Sequence, residues 1–315
     1  MSPARPHLVF ASPRKLPRAG HLEGRVVVLD IAFASIGIGK GWDKTTGALI
    51  DKLGPRLARW VDHHDHPLHA RFADDERFVL CTKAEHGACP EMITPTLVEA
   101  TGPVDTIVCH FDLDGLYAAA KWILGGHEPY PGADDDARAV DTRIGVVSTE
   151  AERIDQALRA HWTDETLKLR VVHYLVTGLP AGVERQTIEA AAADFRRMAE
   201  AARRLARGFE VEGDVAFIEV GSSTPAFDKT ELLLLGQARA TVSVVLDAGN
   251  ATIAAPFESG LDFVALLGLG GGMPTRVNIP RKRLSEALQR IRAVLRERTE
   301  AGRPPTPPAG ASEGA

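Results

Sequence analysis

The stretch RVVVLD, residues 25–30, decides the fold class of this 315-residue chain. Three valines and a leucine in succession predict a strand that is buried on both faces, as strands of parallel sheets are. Further strands are predicted at 57–61, 78–81 and 104–109, and helices at 46–57, 91–100 and 116–124. Strands that alternate with helices on short spacings predict an α/β fold, with a mostly parallel sheet flanked by helices.

The second half of the chain predicts a helical linker and then a smaller α/β unit with a mixed sheet. Residues 149–209 have a helical pattern in three pieces, and we interpret the amphipathic helix at 184–207 as a solvated spacer. Strands are predicted at 215–220, 240–246 and 251–255, and a closing helix at 284–296. We divide the chain into an N-terminal extension, a first domain, a connecting helix, a second domain and a disordered tail, at 1–24, 25–182, 183–212, 213–300 and 301–315.

Charge and composition restrict the partners of the chain. The net charge is −5 with neutral histidines. Proteins that bind long duplex nucleic acid usually carry a basic excess, so we expect a small phosphorylated partner instead. No run approaches 18 apolar residues, which predicts no membrane association and a cytoplasmic protein. The three cysteines Cys81, Cys89 and Cys109 form no CxxC pair, which predicts reduced thiols.

The strongest chemical signal is the stretch HFDLDG, which begins at His110. In an extended chain alternate side chains point to one side, so His110, Asp112 and Asp114 should converge. Phe111 and Leu113 would then face the core. Two carboxylates held so close repel each other when both are ionised, and a divalent cation removes that cost. This motif therefore predicts a metal site.

A second signal follows the predicted strand at 57–61. Asp62, His63 and His64 stand together at its end, and adjacent histidines after an aspartate are hard to explain by packing alone. The neighbouring Asp65 and His66 are interpreted as surface-loop residues. The triplet therefore predicts a second contribution to the metal site.

Two further carboxylates complete the predicted ligand set. Asp30 directly follows the buried strand, where open α/β sheets bind their ligands. Asp141 follows apolar residues and is the first candidate from the acidic segment, with Asp136 second; the triplet at 134–136 is explained equally well as a solvated acidic loop. Imidazole and carboxylate ligands suit Mn²⁺ first, then Fe²⁺, Mg²⁺ or Zn²⁺. Their number predicts two ions about 3.5–4 Å apart.

These residues resemble the motifs of the DHH phosphoesterase superfamily, named for the triplet found here as Asp62, His63 and His64. The family's first motif resembles HFDLDG, its second resembles the strand that ends at Asp30, and its fourth is a later aspartate, here Asp141. The usual order differs, because here Asp30 and the triplet precede HFDLDG. That order resembles a circular permutation, which is compatible with the same site because strand ends, and not chain order, place the side chains.

The C-terminal unit resembles the family's smaller substrate-binding domain, so the resemblance extends over residues 25–296 and makes 25–182 the catalytic domain. The family's glycine run resembles GLGGGMP, which starts at Gly268, but Met273 stands where the family usually has a histidine. Methionine cannot donate to an oxyanion. Either the substrate differs, or Arg276 substitutes, or binding there is lost. The implied substrate-binding residues are Gly270, Gly271, Gly272 and Arg276.

The resemblance implies hydrolysis of a phosphodiester with two metal ions, Mn²⁺ first and Mg²⁺ or another divalent ion second. The implied metal ligands are Asp30, His63, His110, Asp112, Asp114 and Asp141. The implied catalytic residues are Asp62 and His64, with His64 contacting the phosphate or protonating the leaving oxygen. We expect the site in the cleft between the domains and a short oligonucleotide or dinucleotide as substrate. Whether the protein is a monomer or a homodimer stays open.

Two alternatives remain at this point. FDLDG also resembles the opening motif of haloacid-dehalogenase-like phosphatases, in which Asp112 would be the nucleophile. That family usually has Thr or Val where Leu116 follows the glycine, and it gives the histidine triplet no task. The other alternative is a nucleotide sensor without catalytic activity, which Met273 motivates. The complete set of metal ligands argues against a sensor.

Overall fold

The structure is a computed structural model that describes residues 6–34, 41–269 and 274–301. The chain divides into two compact units, Met1–Met198 and Ala199–Ala315. In the part of the chain that the structure describes, no helix is both long and apolar enough to cross a membrane. The predicted disordered tail lies almost entirely outside the described residues.

A parallel sheet of five strands organises the first unit. The strands are β1 His7–Ala11, β2 Val26–Leu29, β3 Leu57–Asp62, β4 Phe78–Leu80 and β5 Thr106–His110. Their order is β1-β5-β2-β3-β4, and every neighbouring pair is parallel. The predicted parallel α/β sheet is therefore confirmed, with β2 at its centre.

Helices cover both faces of this sheet. They are α1 Gly41–Lys44, α2 Thr46–Leu53, α3 Pro95–Thr101, α4 Leu113–Ile123, α5 Ala133–Thr142, α6 Thr149–Ala160, α7 Glu165–Val176 and α8 Val183–Leu205. Short 3-10 turns occur at Ala19–His21, Gly54–Arg56, His69–Phe72 and Cys89–Met92. The three helical pieces predicted for 149–209 are present as α6, α7 and α8.

The central strand β2 is buried on both faces, as its sequence predicts. Val26 and Val28 pack with Trp60 and α2 on one face. Val27 and Leu29 pack on the other face with α4 and the helices that follow it. All four side chains are fully buried. Burial of this kind contributes roughly 1.5–3 kcal/mol for each large apolar side chain. The carboxyl end of β2, which Asp30 directly follows, is therefore held firmly in the sheet.

The N-terminal segment corrects our division of the chain. Residues 1–24 were expected to form an extension outside the first domain, yet β1 pairs in parallel with β5 along its whole length. Leu8 and Phe10 pack against the core on one face of the sheet, and Val9 packs against the core on the other. Alternation of apolar contacts across the pleat is what a strand requires. The segment is thus an edge strand beside the strand that carries His110.

The second unit is also built on five strands, here in a mixed sheet, as predicted. The strands are β6 Glu210–Glu212, β7 Val215–Glu219, β8 Val242–Asp247, β9 Asn250–Ala254 and β10 Arg276–Pro280. Among the described strands of this second unit, only β7 and β8 pair in parallel. The helices are α9 Lys229–Gln237, α10 Phe263–Leu266 and α11 Leu284–Ala301, with 3-10 turns at Ala206–Gly208, Phe257–Ser259 and Arg281–Arg283. The strands β6 and β10 and the helix α9 were not predicted.

The long helix α8 is not the solvated spacer that we expected. Ile188 and Ala192 are fully buried in the core of the first unit. Ala202, further along the same helix, is fully buried in the core of the second. The small alanine side chains on the apolar stripe of α8 allow close packing against a core. The first part of α8 therefore belongs to the core of the first unit, and its last part belongs to the core of the second.

Candidate metal centre

The predicted ligands come together at the carboxyl ends of β5, β2 and β3. Asp30 directly follows β2, Asp62 ends β3 with His63 and His64 behind it, and His110 ends β5. Because these three strands are adjacent and parallel, their carboxyl ends meet at one edge of the sheet. Asp30 lies in the middle: its Oδ1 is 3.3 Å from His63 Nε2, and its Oδ2 is 3.7 Å from His110 Nδ1.

Asp30 adopts a backbone conformation that is uncommon for its residue type. Its φ is 57°, in the left-handed region that favours glycine and asparagine. Its backbone N–H donates to the carbonyl oxygen of Val61, 2.9 Å away, which ties this turn to β3. Burial, together with the charge of Asp114, raises the pKa of Asp30 well above its usual range. Strained backbone and a costly buried charge at one residue are typical of a functional position.

The HFDLDG motif forms the end of a strand and the N-cap and first turn of a helix, and it is not extended throughout as expected. The strand ends at His110, and α4 begins at Leu113, three residues earlier than predicted. Asp112 is the N-cap, with its side chain accepting from the N–H of Gly115 at 3.2 Å. Aspartate is among the best N-cap residues, which explains why the helix starts there. A Cβ at Gly115 would lie 2.4 Å from the His110 carbonyl oxygen, so the turn requires glycine.

The three side chains of the motif nevertheless converge on the site. Asp112 Oδ2 lies 2.8 Å from His110 Nδ1. Asp114, in the first turn of α4, is buried and places Oδ2 at 3.1 Å from His63 Nε2. The prediction of a common location is therefore supported, although its geometric reason was wrong. Phe111 is only partly buried and does not face the core as expected, whereas Leu113 does.

His63 is held in the orientation of a metal ligand. Its Nδ1 lies 2.9 Å from the carbonyl oxygen of His86. A carbonyl can only accept, so Nδ1–H is the donor and Nε2 is the atom directed at Asp30 and Asp114. Metal-ligating histidines commonly donate their second N–H to a backbone carbonyl in this way. Nε2 is buried and has no hydrogen-bond partner among the described residues.

The charges around His63 require a cation. Burial disfavours the imidazolium, but the Asp114 and Asp30 carboxylates outweigh it and raise the pKa of His63 to about 11. Burial raises the pKa of Asp114 to about 6. In the metal-free protein a proton on Nε2 therefore offsets the two carboxylates. Asp30 Oδ1 and Asp62 Oδ2 are also buried without a hydrogen-bond partner, so the donor set fits divalent ions that would replace that proton.

Three groups of residues could each hold an ion, because within each group the ligand atoms lie within 4.8 Å of one another. They are Asp30, His63 and His64; Asp30, His110 and Asp112; and His63, Asp114 and Asp141. The first two groups share Asp30, and the first and third share His63. Shared ligands of this kind are what two neighbouring ions would need. All six predicted metal ligands belong to these groups, and His64 joins them.

His64 is partly exposed and is held by a buried carboxylate. Its Nδ1 lies 2.8 Å from Asp62 Oδ1, while the Asp62 side chain is fully buried. A buried carboxylate at that distance fixes the orientation of the ring. The His64 side chain is 32% exposed, so its other nitrogen can face a bound molecule.

A segment that sequence reasoning missed surrounds the site on its β4 side. We call residues 81–92, which follow β4, the β4 loop. Besides the His86 carbonyl, it provides the backbone N–H of Cys89, which donates to Asp114 Oδ1 at 3.0 Å. Its Lys83 Nζ lies 2.6 Å from Asp141 Oδ2. Two of these contacts are made by backbone groups, which no pattern of side chains in the sequence indicates. Only the position of the β4 loop directly after a strand could have indicated its role in the site.

The acidic triplet is structural and lies outside the metal groups. It forms the first turn of α5, where carboxylates are stabilised by the helix dipole, and is not a solvated loop. Asp136 accepts from the Tyr130 hydroxyl at 2.7 Å and from the Ser148 N–H and hydroxyl at 2.6 Å each. Asp134 forms an ion pair with Lys121. Asp141, at the end of the same helix, is therefore the better ligand of the two candidates.

The predicted substrate-binding residues of the second unit are only partly described. Gly270, Gly271, Gly272 and Met273 lie outside the described residues. Arg276 begins β10, is half-buried and donates to the Thr230 hydroxyl at 3.2 Å. Burial lowers the pKa of Arg276, although the charge of Asp228 acts in the opposite direction. A half-buried guanidinium of this kind can bind an anion, and its role stays a prediction.

Comparisons with known proteins give a distant likeness in fold. No protein-family model matches the chain, and no curated protein matches its sequence. One similar solved structure is exonuclease RecJ bound to manganese, with a TM-score of 0.46 and 14% identity, over 89% of this chain and 76% of that chain. Another is the pGpG-specific phosphodiesterase PggH from Vibrio cholerae, with a TM-score of 0.40 and 9% identity, over 89% and 99%. The chain is similar to both in fold alone, and neither assigns a role to its residues.

Proposed function

We propose that this chain is a metal-dependent phosphoesterase that hydrolyses a phosphodiester bond in a short oligonucleotide or dinucleotide, with Mn²⁺ as its ion. One observation carries the proposal. The His86 carbonyl fixes Nδ1 of His63, so that the free nitrogen of the ring is directed at two buried carboxylates, Asp30 and Asp114. Such an arrangement is costly without a cation and well suited to one. The motif resemblance to DHH phosphoesterases supports the same reading of the site.

The residues divide the metal-binding task among the strand ends. Asp30, His110 and Asp112 would hold one ion, and His63, Asp114 and Asp141 a second, with Asp30 and His63 close enough to be shared. Two divalent ions of this kind supply an acidified water as nucleophile and offset negative charge on the phosphate oxygens. The backbone N–H of Cys89 and the carbonyl of His86 hold the ligands in place before substrate arrives. That preorganisation lowers the cost of assembling so many charges.

The chain's own proton chemistry is assigned to His64. With Nδ1 held by the buried Asp62 carboxylate, Nε2 of His64 can carry a proton towards the leaving oxygen. The fully buried Asp62 would orient the His64 ring in the way that a carboxylate orients the histidine of other acid–base pairs. His64 is the accessible member of the pair, which matches a group that must contact substrate. We therefore propose His64 as the general acid and Asp62 as its orienting partner.

The test is hydrolysis of a small panel of substrates: an activated aryl phosphodiester, a dinucleotide, a cyclic dinucleotide and pyrophosphate. Turnover is measured with Mn²⁺ and with chelator, for the wild type and for His63→Ala combined with Asp112→Ala. His127→Ala is the matched control, since His127 is an exposed histidine outside the metal groups. We expect Mn²⁺-dependent turnover that the double variant loses and the control keeps.

Other outcomes of this panel would overturn the proposal. A phosphorylated Asp112 trapped on the protein during turnover would favour the haloacid-dehalogenase-like alternative. Tight nucleotide binding by the metal-loaded protein without any turnover would favour the sensor. Failure of the wild type to bind any divalent ion in equilibrium dialysis would refute the assignment of the metal groups.

A further inference from the structure

A row of three aromatic rings leads from the metal groups to solvent. The His110 and Phe111 ring centroids lie 4.6 Å apart, and the Phe111 and Trp162 centroids lie 6.3 Å apart. The rings of each pair are tilted by 33° and 38°, and both distances are in the range of favourable aromatic contacts. Trp162, in the turn between α6 and α7, is 59% exposed. The row thus begins at a candidate ligand and ends at a free indole.

A cation stands beside this row. Lys168, on α7, is buried and places Nζ 5.0 Å from the centroid of the Phe111 ring and 5.6 Å from that of Phe10. An ammonium over an aromatic face is stabilised by the ring's quadrupole. The contact also restrains the ring of Phe111, the residue that directly follows His110 in the chain. A row of partly exposed rings next to candidate metal ligands complements a nucleotide, which joins a flat base to an anionic phosphate.

We propose that Phe111 and Trp162 form the subsite for a nucleobase of the substrate, adjacent to the phosphate that is cleaved. The inference rests on the proposed phosphodiesterase function and specifies its substrate class. Its basis is continuity: His110 Nδ1 lies 2.8 Å from Asp112 Oδ2, and a phosphate bound at an ion held by these two residues would have its neighbouring base beside Phe111. Every base has a stacking face, so the subsite binds bases with little preference among them.

The first measurement compares two substrates that differ only in the base. One is a dinucleotide, and the other is the same compound with an abasic sugar in each position. We expect the wild type to prefer the dinucleotide by roughly tenfold or more in kcat/KM, the range of one base–aromatic stack. Trp162→Ala should lose most of this preference through KM with little change in kcat, and Trp162→Phe should restore it. Val183→Ala, a change at a residue that is 57% exposed and apolar, is the matched control.

A second measurement detects binding without turnover. Nucleoside monophosphate is titrated into the Mg²⁺-loaded protein while tryptophan fluorescence is recorded. Trp60 and Trp122 are buried and Trp42 is partly buried, so an accessible base should quench mainly the exposed Trp162. We expect quenching by the nucleoside monophosphate, none by ribose 5-phosphate, and loss of the signal in Trp162→Phe. Because Trp162 is exposed, neither of its substitutions should unfold the protein.

The outcomes separate this inference from the proposed function. Robust cleavage with the same base preference in the wild type and in Trp162→Ala would overturn the base subsite and leave the phosphodiesterase intact. Quenching that depends on the base, in a protein that cleaves no phosphodiester, would support the subsite while the proposed activity fails. If Trp162→Ala instead converts a dimer to a monomer in sedimentation, with base preference unchanged, the row is an interface between two copies and the inference is wrong.

Discussion

The carbonyl oxygen of His86 lies 2.9 Å from Nδ1 of His63, and this contact determines which nitrogen of His63 faces the carboxylates. The triplet supplies the histidine, but the β4 loop supplies its orientation. The same loop also holds Asp114 through the N–H of Cys89. A site that depends on backbone groups in this way keeps its geometry when the ion leaves, so the metal-free protein retains the electrostatic cost of the buried carboxylates. That cost makes the following predictions measurable.

We expect Asp30→Asn to stabilise the metal-free protein and to abolish its stabilisation by metal. Burial and Asp114 raise the pKa of Asp30, so its ionised form is costly at neutral pH, and asparagine, like aspartate, can adopt a φ of 57°. A gain of about 1 kcal/mol corresponds to about 2–4 °C in Tm for a unit of this size. In the wild type, Mn²⁺ at a hundred times its Kd should add about 2.7 kcal/mol. Thermal melts with Mn²⁺ and with chelator measure both effects.

Asp30→Ala is the matched control for this substitution. It removes the same charge, but alanine is strained in the left-handed region, so its metal-free Tm should lie below that of Asp30→Asn. A metal-free Asp30→Asn protein that melts below the wild type would contradict the electrostatic cost assigned to Asp30.

The stability of the metal-free protein should fall as pH rises. The pKa of His63 is raised from 6.5 to about 11, so the folded state keeps a proton that the unfolded state releases between these values. The stability contributed by His63 is therefore complete below pH 6.5 and is lost as pH rises through about 11. The raised pKa of Asp114, about 6 instead of 3.8, gives a slope of the same sign at lower pH. Urea unfolding with chelator across these windows measures both slopes.

His63→Gln provides the control for the alkaline window, because glutamine cannot carry the proton. Its metal-free stability should vary much less with pH above 6.5. Saturating divalent ion should also flatten the wild-type profile, since the ion replaces the proton on Nε2. A wild-type profile that stays flat in chelator would show that His63 is neutral there.

Lys83→Met should tighten divalent-ion binding. The Lys83 ammonium lies 2.6 Å from Asp141 Oδ2 and competes with an ion for that carboxylate. Partly exposed pairs contribute about 0.2–1 kcal/mol, so we expect Kd to fall by a factor of about 1.4 to 5. Titration calorimetry measures the change, and Lys52→Met, at an exposed lysine on α2, is the control. Weaker binding in Lys83→Met would mean that Lys83 positions Asp141 and does not compete for it.

The sequence predicted the part of the site that depends on strand ends. Buried parallel strands have a strong local sequence pattern, and the position of a residue such as Asp30 is set by the end of the strand that it directly follows. The physical rule that adjacent parallel strands end at one edge then brings Asp30, His63 and His110 together without any knowledge of the intervening chain. The order of the motifs along the sequence did not matter for this reason.

The rest of the site depends on features that leave weak patterns. Asp112 is both a candidate ligand and the N-cap of α4. Because aspartate is favoured at the N-cap, α4 begins at Leu113 and not at the predicted residue 116. The His86 carbonyl and the Cys89 N–H are groups that every residue possesses, and tertiary structure alone selects them. The strand β1 was missed because an edge strand with partly buried side chains differs little from an apolar stretch in a loop.

Removing β1 should weaken both the fold and the site. A protein that lacks residues 1–11 loses the strand that pairs with β5 and uncovers the contacts of Leu8 and Phe10 with the core. Loss of these partly buried side chains costs on the order of 3 kcal/mol. Since β5 ends at His110, its exposed edge should also loosen that ligand and raise the Kd for Mn²⁺. A protein that lacks only residues 1–5 keeps β1 and is the matched control. Equal Tm and equal Kd in the two truncated proteins would show that β1 contributes nothing to the unit, whereas a lower Tm with unchanged Kd would show that His110 is held by β2 and α4 alone.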